Sequence, residues 1–285
     1  MISIQLLFTA AGLLYGQHIL IPKSYKWTKR LTLSVIAIFS FILSCTGILL
    51  LVLSISDNFR GKIFANICIK QAQTSSPLDE YRCSILDKGN VSGKVIEFGS
   101  GPGTNFKCFE NSTTTSNNSL ISEYVAVEPN EHFHDALKEE KVKRGMDFPM
   151  KIVGLRGEEI DLPSTNSEFD VIISTHVLCS VDVPDIVLTN ADLALKPGGR
   201  FIFFEHVAAD YQSSPTMWYF QQIVSPFLFI VANGCKFRNT GEIITNHFKQ
   251  HNDRYDLDYI HFDAPMPFFM KFLTPHIMGI ATKKI

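Results

Sequence analysis

VIEFGSGPGTN, residues 95–105, is the stretch on which the reading of this chain turns. Val95, Ile96 and Phe98 make a short apolar strand, and Gly99, Gly101 and Gly103 follow as a loop that opens into a helix. Glycine lets the backbone turn sharply and approach a ligand with no Cβ in the way. The helix N-terminus beyond supplies free N–H groups. Glu97 stands just before the first glycine, where a carboxylate can meet a cationic group of a ligand. The next strand closes with AVEPN, residues 126–130, in which Glu128 can accept both hydroxyls of a ribose and Pro129 and Asn130 continue the same turn. Such a loop suits a dinucleotide as well as other adenosine-bearing cofactors. The third glycine of G-x-G-x-x-G is missing, because position 104 is Thr.

Working outward, short β-rich runs alternate with helical ones. Candidate strands lie at 94–98, 123–127, 151–153, 170–174 and 200–205, and candidate helices at 105–110, 130–142 and 184–194. Repeated alternation of this kind predicts an α/β domain, a mostly parallel sheet with helices on both faces. ENSTTTSNNS, residues 110–119, reads as a polar inserted loop. Beyond Asp210 the pattern is less regular and rich in Phe, Pro and His.

ADLALKPGGRFIFFEH, residues 191–206, combines a helix end, a Pro197-Gly198-Gly199 turn and a strand. Here the sequence resembles the class I S-adenosylmethionine (SAM)-dependent methyltransferases, which have a Rossmann-like fold. EFDVIISTHVL, residues 168–178, resembles that family's fourth strand and the loop after it, with Thr175 and His176 beside the cofactor. Gly157-Glu158-Glu159 resembles its acidic motif on the adenine side. The cofactor positions that the resemblance implies are Glu97, Gly99, Gly101, Gly103, Asn105, Glu128, Pro129, Asn130, Gly157, Glu158, Glu159, Thr175 and His176.

A closer resemblance is carried by THVLCSV (175–181), EHVAA (205–209), WYFQQIVSP (218–226), NGCKFRNTGE (233–242) and PHIMGIA (275–281). These runs are similar to the membrane-associated thiol S-methyltransferases of the endoplasmic reticulum and lipid droplets, which also carry an N-terminal hydrophobic anchor. The resemblance implies a small acceptor, an alkyl thiol or hydrogen sulfide. The chain departs from that family in reading GSGPG for GCGTG and in placing Glu128 where those enzymes have Asp.

His206 and His176 follow strands at the crevice end of such a sheet and are the candidates for proton transfer or a polar contact to the acceptor. Cys179, Trp218 and Gln221 are expected to line the acceptor pocket, although aromatic residues at 218–220 can equally pack or meet a membrane surface. The six cysteines include no C-x-x-C pair, so the spacing predicts reduced thiols, no zinc site and no disulfide framework. No metal is expected. Alternative readings are an NAD-dependent oxidoreductase, O- or C-methylation of another small or lipid acceptor, and a non-catalytic membrane or lipid-droplet scaffold with a SAM-binding fold.

Residues 2–21 contain no charged side chain, Lys23, Lys26, Lys29 and Arg30 follow, and 31–55 is again uncharged and almost solid Leu, Ile, Val and Phe. A bilayer crossing takes ~20 apolar residues, so the second run suffices for one helix. The expected organisation is a hydrophobic anchor of one or two helices over 1–56, a helical connector over 57–92 with a loop at Ser75-Ser76-Pro77, and the SAM-binding domain over 93–285. Cytosolic synthesis of SAM favours a cytosol-facing domain; two crossings would instead place the sequons at Asn90, Asn111 and Asn117 in the lumen. A net charge of −2 disfavours non-specific binding of nucleic acid.

Overall fold

The computed structural model describes residues 23–110, 121–160 and 168–285. The first apolar run and the sequons at Asn111 and Asn117 lie outside these residues. The chain divides into two compact units, Met1–Ser56 and Asp57–Ile285.

In the first unit, helix α1 (Lys23–Ile55) runs for 33 residues. Its stretch Leu31–Ile55 is long and apolar enough, by length and composition, to cross a membrane. Most of its Leu, Ile, Val and Phe side chains are exposed, and the hydroxyls of Ser44 and Thr46 fold back onto carbonyls of the preceding turn, so they add no outward polar stripe.

The second unit is a seven-stranded sheet. In chain order its elements are α2 (Asp57–Ala72), α3 (Asp79–Lys88), β1 (Gly93–Phe98), α4 (Phe106–Glu110), β2 (Ile121–Val127), α5 (His134–Lys143), β3 (Met150–Val153), β4 (Phe169–Thr175), α6 (Pro184–Ala194), β5 (Leu195–His206), α7 (Pro215–Val231), α8 (Thr240–Gln250), β6 (Tyr255–Asp263) and β7 (Pro275–Lys283). The strand order is β3-β2-β1-β4-β5-β7-β6. The first five strands pair in parallel, and β7 runs antiparallel between β5 and β6.

Period-two alternation sorts the side chains of the central strands onto two buried faces. Ile96, Phe98, Ile172, Phe201 and Phe203 pack with Val187 and Leu188 of α6 and with Ile244 and Phe248 of α8. Val95, Val171, Ile173, Ile202 and Phe204 face the other way, onto Ile85 and Leu86 of α3, Phe106 of α4 and Leu137 of α5. The chain leaves β1 towards β2 on one side and takes up β4 on the other, which creates a topological switch point at the C-terminal ends of β1 and β4.

Three sequence expectations need correcting. The PGG turn does not precede its strand: Leu195 already pairs with Phe169, the register then shifts, and pairing resumes at Arg200 with Val171. Lys196–Gly199 is thus a bulge, with Gly198 at φ 79°. The stretch beyond Asp210 is regular after all, two helices and two strands. Pro226 inside α7 masked the helix, and Pro275 and Gly279 masked β7. Third, Cys83 on α3 and Cys108 on α4 form a disulfide with Cα atoms 4.8 Å apart, rather than two reduced thiols. Their separation of 25 residues and the absence of any motif concealed a contact that only the packing of α3 on α4 creates.

Candidate active site

A cleft of about 900 Å³ opens at the switch point. Its floor is the glycine loop after β1. Gly99 (φ 61°) and Gly101 (φ 53°) hold left-handed conformations that side-chain-bearing residues rarely adopt. A Cβ on Gly99 would collide with Val177, whereas one on Gly101 would meet nothing within 4 Å and would project into free space. The loop is therefore packed on one side and open on the other, a cradle for a ligand.

Two buried carboxylates flank it. Glu97 receives hydrogen bonds from the Tyr124 hydroxyl and the Asn105 side-chain amide. Burial pushes its carboxyl up to about 7, against the opposing pull of those donors. Asn105 also donates to Thr175 Oγ1 at 3.0 Å, while its own carbonyl oxygen is buried without a partner. Glu128 accepts the Gly101 amide at 2.8 Å and the Asn130 amide at 2.9 Å. Burial raises its carboxyl too, and these two amides partly offset the shift.

Glu158 closes the far end, accepting the Asp182 amide at 2.6 Å through one oxygen while the other has no hydrogen-bond partner. Gly157, Pro129, Asn130, Thr175 and His176 also line the cleft. Gly103 and Glu159 do not; Glu159 instead accepts the Arg156 amide at 3.1 Å on the loop surface.

The histidines separate. His176 lines the cleft from a left-handed backbone (φ 56°). Its Nε2 meets Nε2 of His276 at 3.1 Å, and Nδ1 of His276 meets the Thr274 carbonyl at 3.0 Å. The Thr274 carbonyl can only accept, so His276 carries its proton on Nδ1 and takes the His176 Nε2–H on the other nitrogen. Burial, then the neighbouring His276, hold His176 well below the ordinary histidine range, and burial brings His276 down to about 4. Both are neutral near pH 7, so His176 offers a polar contact rather than a strong base. His206, at the end of β5, turns away from the cleft and meets Cys235 Sγ at 3.2 Å.

The other pocket candidates do not line the cleft either. Cys179 is buried next to Ser180. Gln221 is a clamp: its carbonyl accepts the Ala209 amide at 2.7 Å and its amide donates to the Phe272 carbonyl at 2.8 Å. Trp218 packs edge-on to Tyr211 at 5.3 Å.

Several residues of the cleft were not visible in the sequence. α2 contributes Asp57, Arg60, Gly61, Phe64 and Cys68 to the lining. It is fastened by the Asn130 side chain donating to the Gly61 carbonyl at 3.0 Å and by an edge-on contact between Phe64 and Phe133. Arg82 of α3 also lines the cleft, paired with Asp79. Glu205 is buried and accepts Ser174 Oγ at 2.7 Å and the Val177 and Leu178 amides at 3.0 and 3.3 Å, so it latches the loop after β4.

Comparison with known proteins gives the same picture. The family model described as "Methyltransferase domain" matches residues 71–257. Thiol S-methyltransferase TMT1B of Homo sapiens is 31% identical over 197 residues, which cover 68% of this chain and 72% of that protein. Thiol S-methyltransferase TMT1A of Homo sapiens is 28% identical over 221 residues, 75% of this chain and 82% of that one. Among solved structures, the YcgJ protein from Bacillus subtilis is similar with a TM-score of 0.55 at 11% identity, covering 72% of this chain and 98% of that one. At that identity the likeness concerns the fold alone.

Proposed function

From the premise that this chain belongs to the methyltransferase-domain family, we propose that it is a membrane-anchored, SAM-dependent methyltransferase whose acceptor is a small thiol, an alkyl thiol or hydrogen sulfide. The observation that carries this reading is the open glycine cradle between two buried carboxylates, Glu97 and Glu128, at the switch point.

SAM supplies a methyl group on a positively charged sulfur, already activated for transfer. The residues present fit it. Glu128 takes the ribose hydroxyls. Glu97 and the unpartnered Asn105 carbonyl oxygen take the ammonium, and Arg82 stands where it can balance the carboxylate. The second oxygen of Glu158, which accepts no hydrogen bond and lies 3.9 Å from the Arg156 guanidinium, suits an amino group at the adenine end. Gly101 lets the backbone close on the ligand, and α2 roofs the cleft and excludes water.

The acceptor assignment rests on the printed names of relatives about 30% identical. Transfer to sulfur asks mainly for alignment at near-attack distance. The nucleophile is the thiolate, a few per cent of a thiol whose pKa is about 8.5 at neutral pH. His176, neutral and at the cleft, orients the acceptor.

Leu31–Ile55 supports a membrane anchor; the endoplasmic reticulum or a lipid droplet as its place rests on the family resemblance of the sequence alone. SAM supply favours the cytosolic side. There the Cys83–Cys108 bridge meets a reducing thiol pool. Free Cys83 and Cys108 in cells, with no sugar on exposed Asn90, support that side. Endoglycosidase-sensitive sugar with an intact bridge overturns it.

The test of function uses detergent-purified protein and methyl-labelled SAM with small thiols, and with matched alcohols, phenols and amines as controls. Label confined to thiols supports the reading. Label on another class, or SAM bound with no transfer, overturns the acceptor assignment.

A further inference from the structure

Behind the cleft wall three buried side chains converge that the reaction as described does not use. Cys179, His206 and Cys235 each offer a ligand atom, and these atoms all lie within 4.8 Å of one another. The residues are 2%, 7% and 7% exposed. They come from three places: the turn after β4, the end of β5 and the loop after α7. The fold fixes them by backbone contacts. The Lys236 amide donates to the Cys179 carbonyl at 3.0 Å, and the Ala208 amide to the Arg238 carbonyl at 2.9 Å. Nε2 of His206 is 3.2 Å from Cys235 Sγ, while its Nδ1 is buried with no hydrogen-bond partner. Buried imidazole nitrogens are ordinarily satisfied, so the protein's own hydrogen bonds do not account for this one.

We infer that Cys179, His206 and Cys235 bind a zinc ion whose fourth position takes the sulfur of the methyl acceptor. Two thiolates and an imidazole are a donor set that zinc favours. With Zn–S of about 2.3 Å and Zn–N of about 2.0–2.1 Å, tetrahedral donors sit roughly 3.5–3.8 Å apart, so the widest pair closes by no more than about 1 Å while His206 Nε2 and Cys235 Sγ, now 3.2 Å apart, open slightly. Among the described residues no further His, Cys, Asp or Glu joins the group. Three protein ligands with an open position are the arrangement of catalytic zinc, whereas structural zinc is closed by four. The three ligands lie behind the cleft wall rather than on it, but chain neighbours of two of them line the cleft, Val177 and Ser180 on either side of Cys179 and Gly234 before Cys235, so the site adjoins the cleft.

This inference rests on the thiol reading above and gives it a mechanism. The acceptor thiol releases its proton to solvent, and its sulfur binds zinc as a thiolate, which raises the ionised fraction at neutral pH. A lone pair of that sulfur attacks the methyl carbon. The new C–S bond forms as the bond from methyl to the sulfonium breaks, and that bond's electron pair stays on the donor sulfur, giving S-adenosylhomocysteine. The neutral thioether product binds zinc weakly and departs. The expectation of no metal, drawn from sequence spacing, is revised because positions 179, 206 and 235 are too far apart in the chain to form a recognisable pattern.

The test uses the full chain, purified in detergent under reducing conditions, with zinc measured by elemental mass spectrometry and then exchanged for cobalt. One zinc per chain, lost in Cys235→Ser and in Cys179→Ser, supports the site. A change in the thiolate-to-cobalt absorption on adding ethanethiol but not ethanol supports the fourth ligand. Because a variant can misfold, the wild-type chain is also stripped with a chelator, checked for SAM binding and reloaded with zinc; methyl transfer that falls at least tenfold and returns supports the role. Undiminished thiol methylation by stripped protein overturns the inference and leaves the thiol reading standing. A Cys179–Cys235 disulfide in the purified chain, with no metal taken up after reduction, overturns it as well. Zinc bound with methyl transfer only to non-thiols sinks both.

Discussion

The Glu128 carboxylate at the end of β2 accepts the Gly101 amide, 27 residues earlier, at 2.8 Å. One side chain thus shapes the cradle and, on the proposed reading, is also the acceptor for the ribose. Its second oxygen is held by the Asn130 amide, yet each carboxylate oxygen keeps a free lone pair for a hydroxyl. Glu128→Ala removes both functions. With charge-assisted bonds at about 1.5–3 kcal/mol each, affinity for S-adenosylhomocysteine should fall on the order of 100-fold or more by calorimetry. Glu128→Asp should retain part of it. Unchanged affinity in the alanine variant would show that the ribose lies elsewhere.

Glu97 predicts a pH dependence of binding. Its carboxyl is raised from 4.5 to about 7, and an ammonium ligand favours the ionised form. SAM affinity should therefore rise as pH increases from 6 to 8, and Glu97→Gln should flatten the profile and weaken binding. Stability should move the opposite way. Between 4.5 and 7 the folded chain holds more protons at Glu97 than the unfolded chain does, so this group's contribution falls as pH rises through the window. Tyr124→Phe removes a donor to the carboxylate and should shift the binding profile to higher pH. A flat wild-type profile would contradict the assignment of Glu97.

Glu205 should matter for the loop rather than the chemistry. Glu205→Ala leaves the Val177 and Leu178 amides and the Ser174 hydroxyl buried with no acceptor. An unsatisfied buried group costs about 1–3 kcal/mol, so thermal unfolding should show a loss of at least that size. Glu205→Gln keeps one acceptor and should lie between. A variant as stable as the parent would mean that the loop after β4 is not latched by this carboxylate.

The Cys83–Cys108 bridge closes a loop of 25 residues. For such a loop the chain-entropy argument gives about 3.5 kcal/mol. Cys83→Ser, or reduction of the wild type, should lower the unfolding midpoint, and reduction should do nothing further to the variant. Equal midpoints in oxidised and reduced wild-type protein would show that the bridge does not restrain the unfolded chain.

What the sequence revealed depended on whether the determining chemistry was local. The glycine loop and Glu128 were readable because tight backbone turns need particular residues at neighbouring positions. Helix α6 could be bounded because Pro184 opens it and its buried apolar positions Val187, Leu188, Ala191 and Ala194 recur at helical spacing. His276 was not readable: its partner His176 lies 100 residues away, and nothing local marks a histidine in β7 as the support of a cleft residue. Arg82 was hidden in what looked like a connector. His206 and Gln221 were picked out for their residue types, but strand direction and helix packing turn them away from the cleft, one towards Cys235 and the other onto two backbone groups.

The position of β7 bears on how a newly made chain becomes competent. It inserts between β5 and β6 and pairs with both, yet it is the last of the seven strands to leave the ribosome. Until it arrives, β5 presents an unpaired edge and His176 lacks His276. The site can therefore be finished only after translation has passed Lys283, so a ribosome that stalls or terminates early in the final strand releases a chain with a raw sheet edge for chaperones to handle, not a slower enzyme.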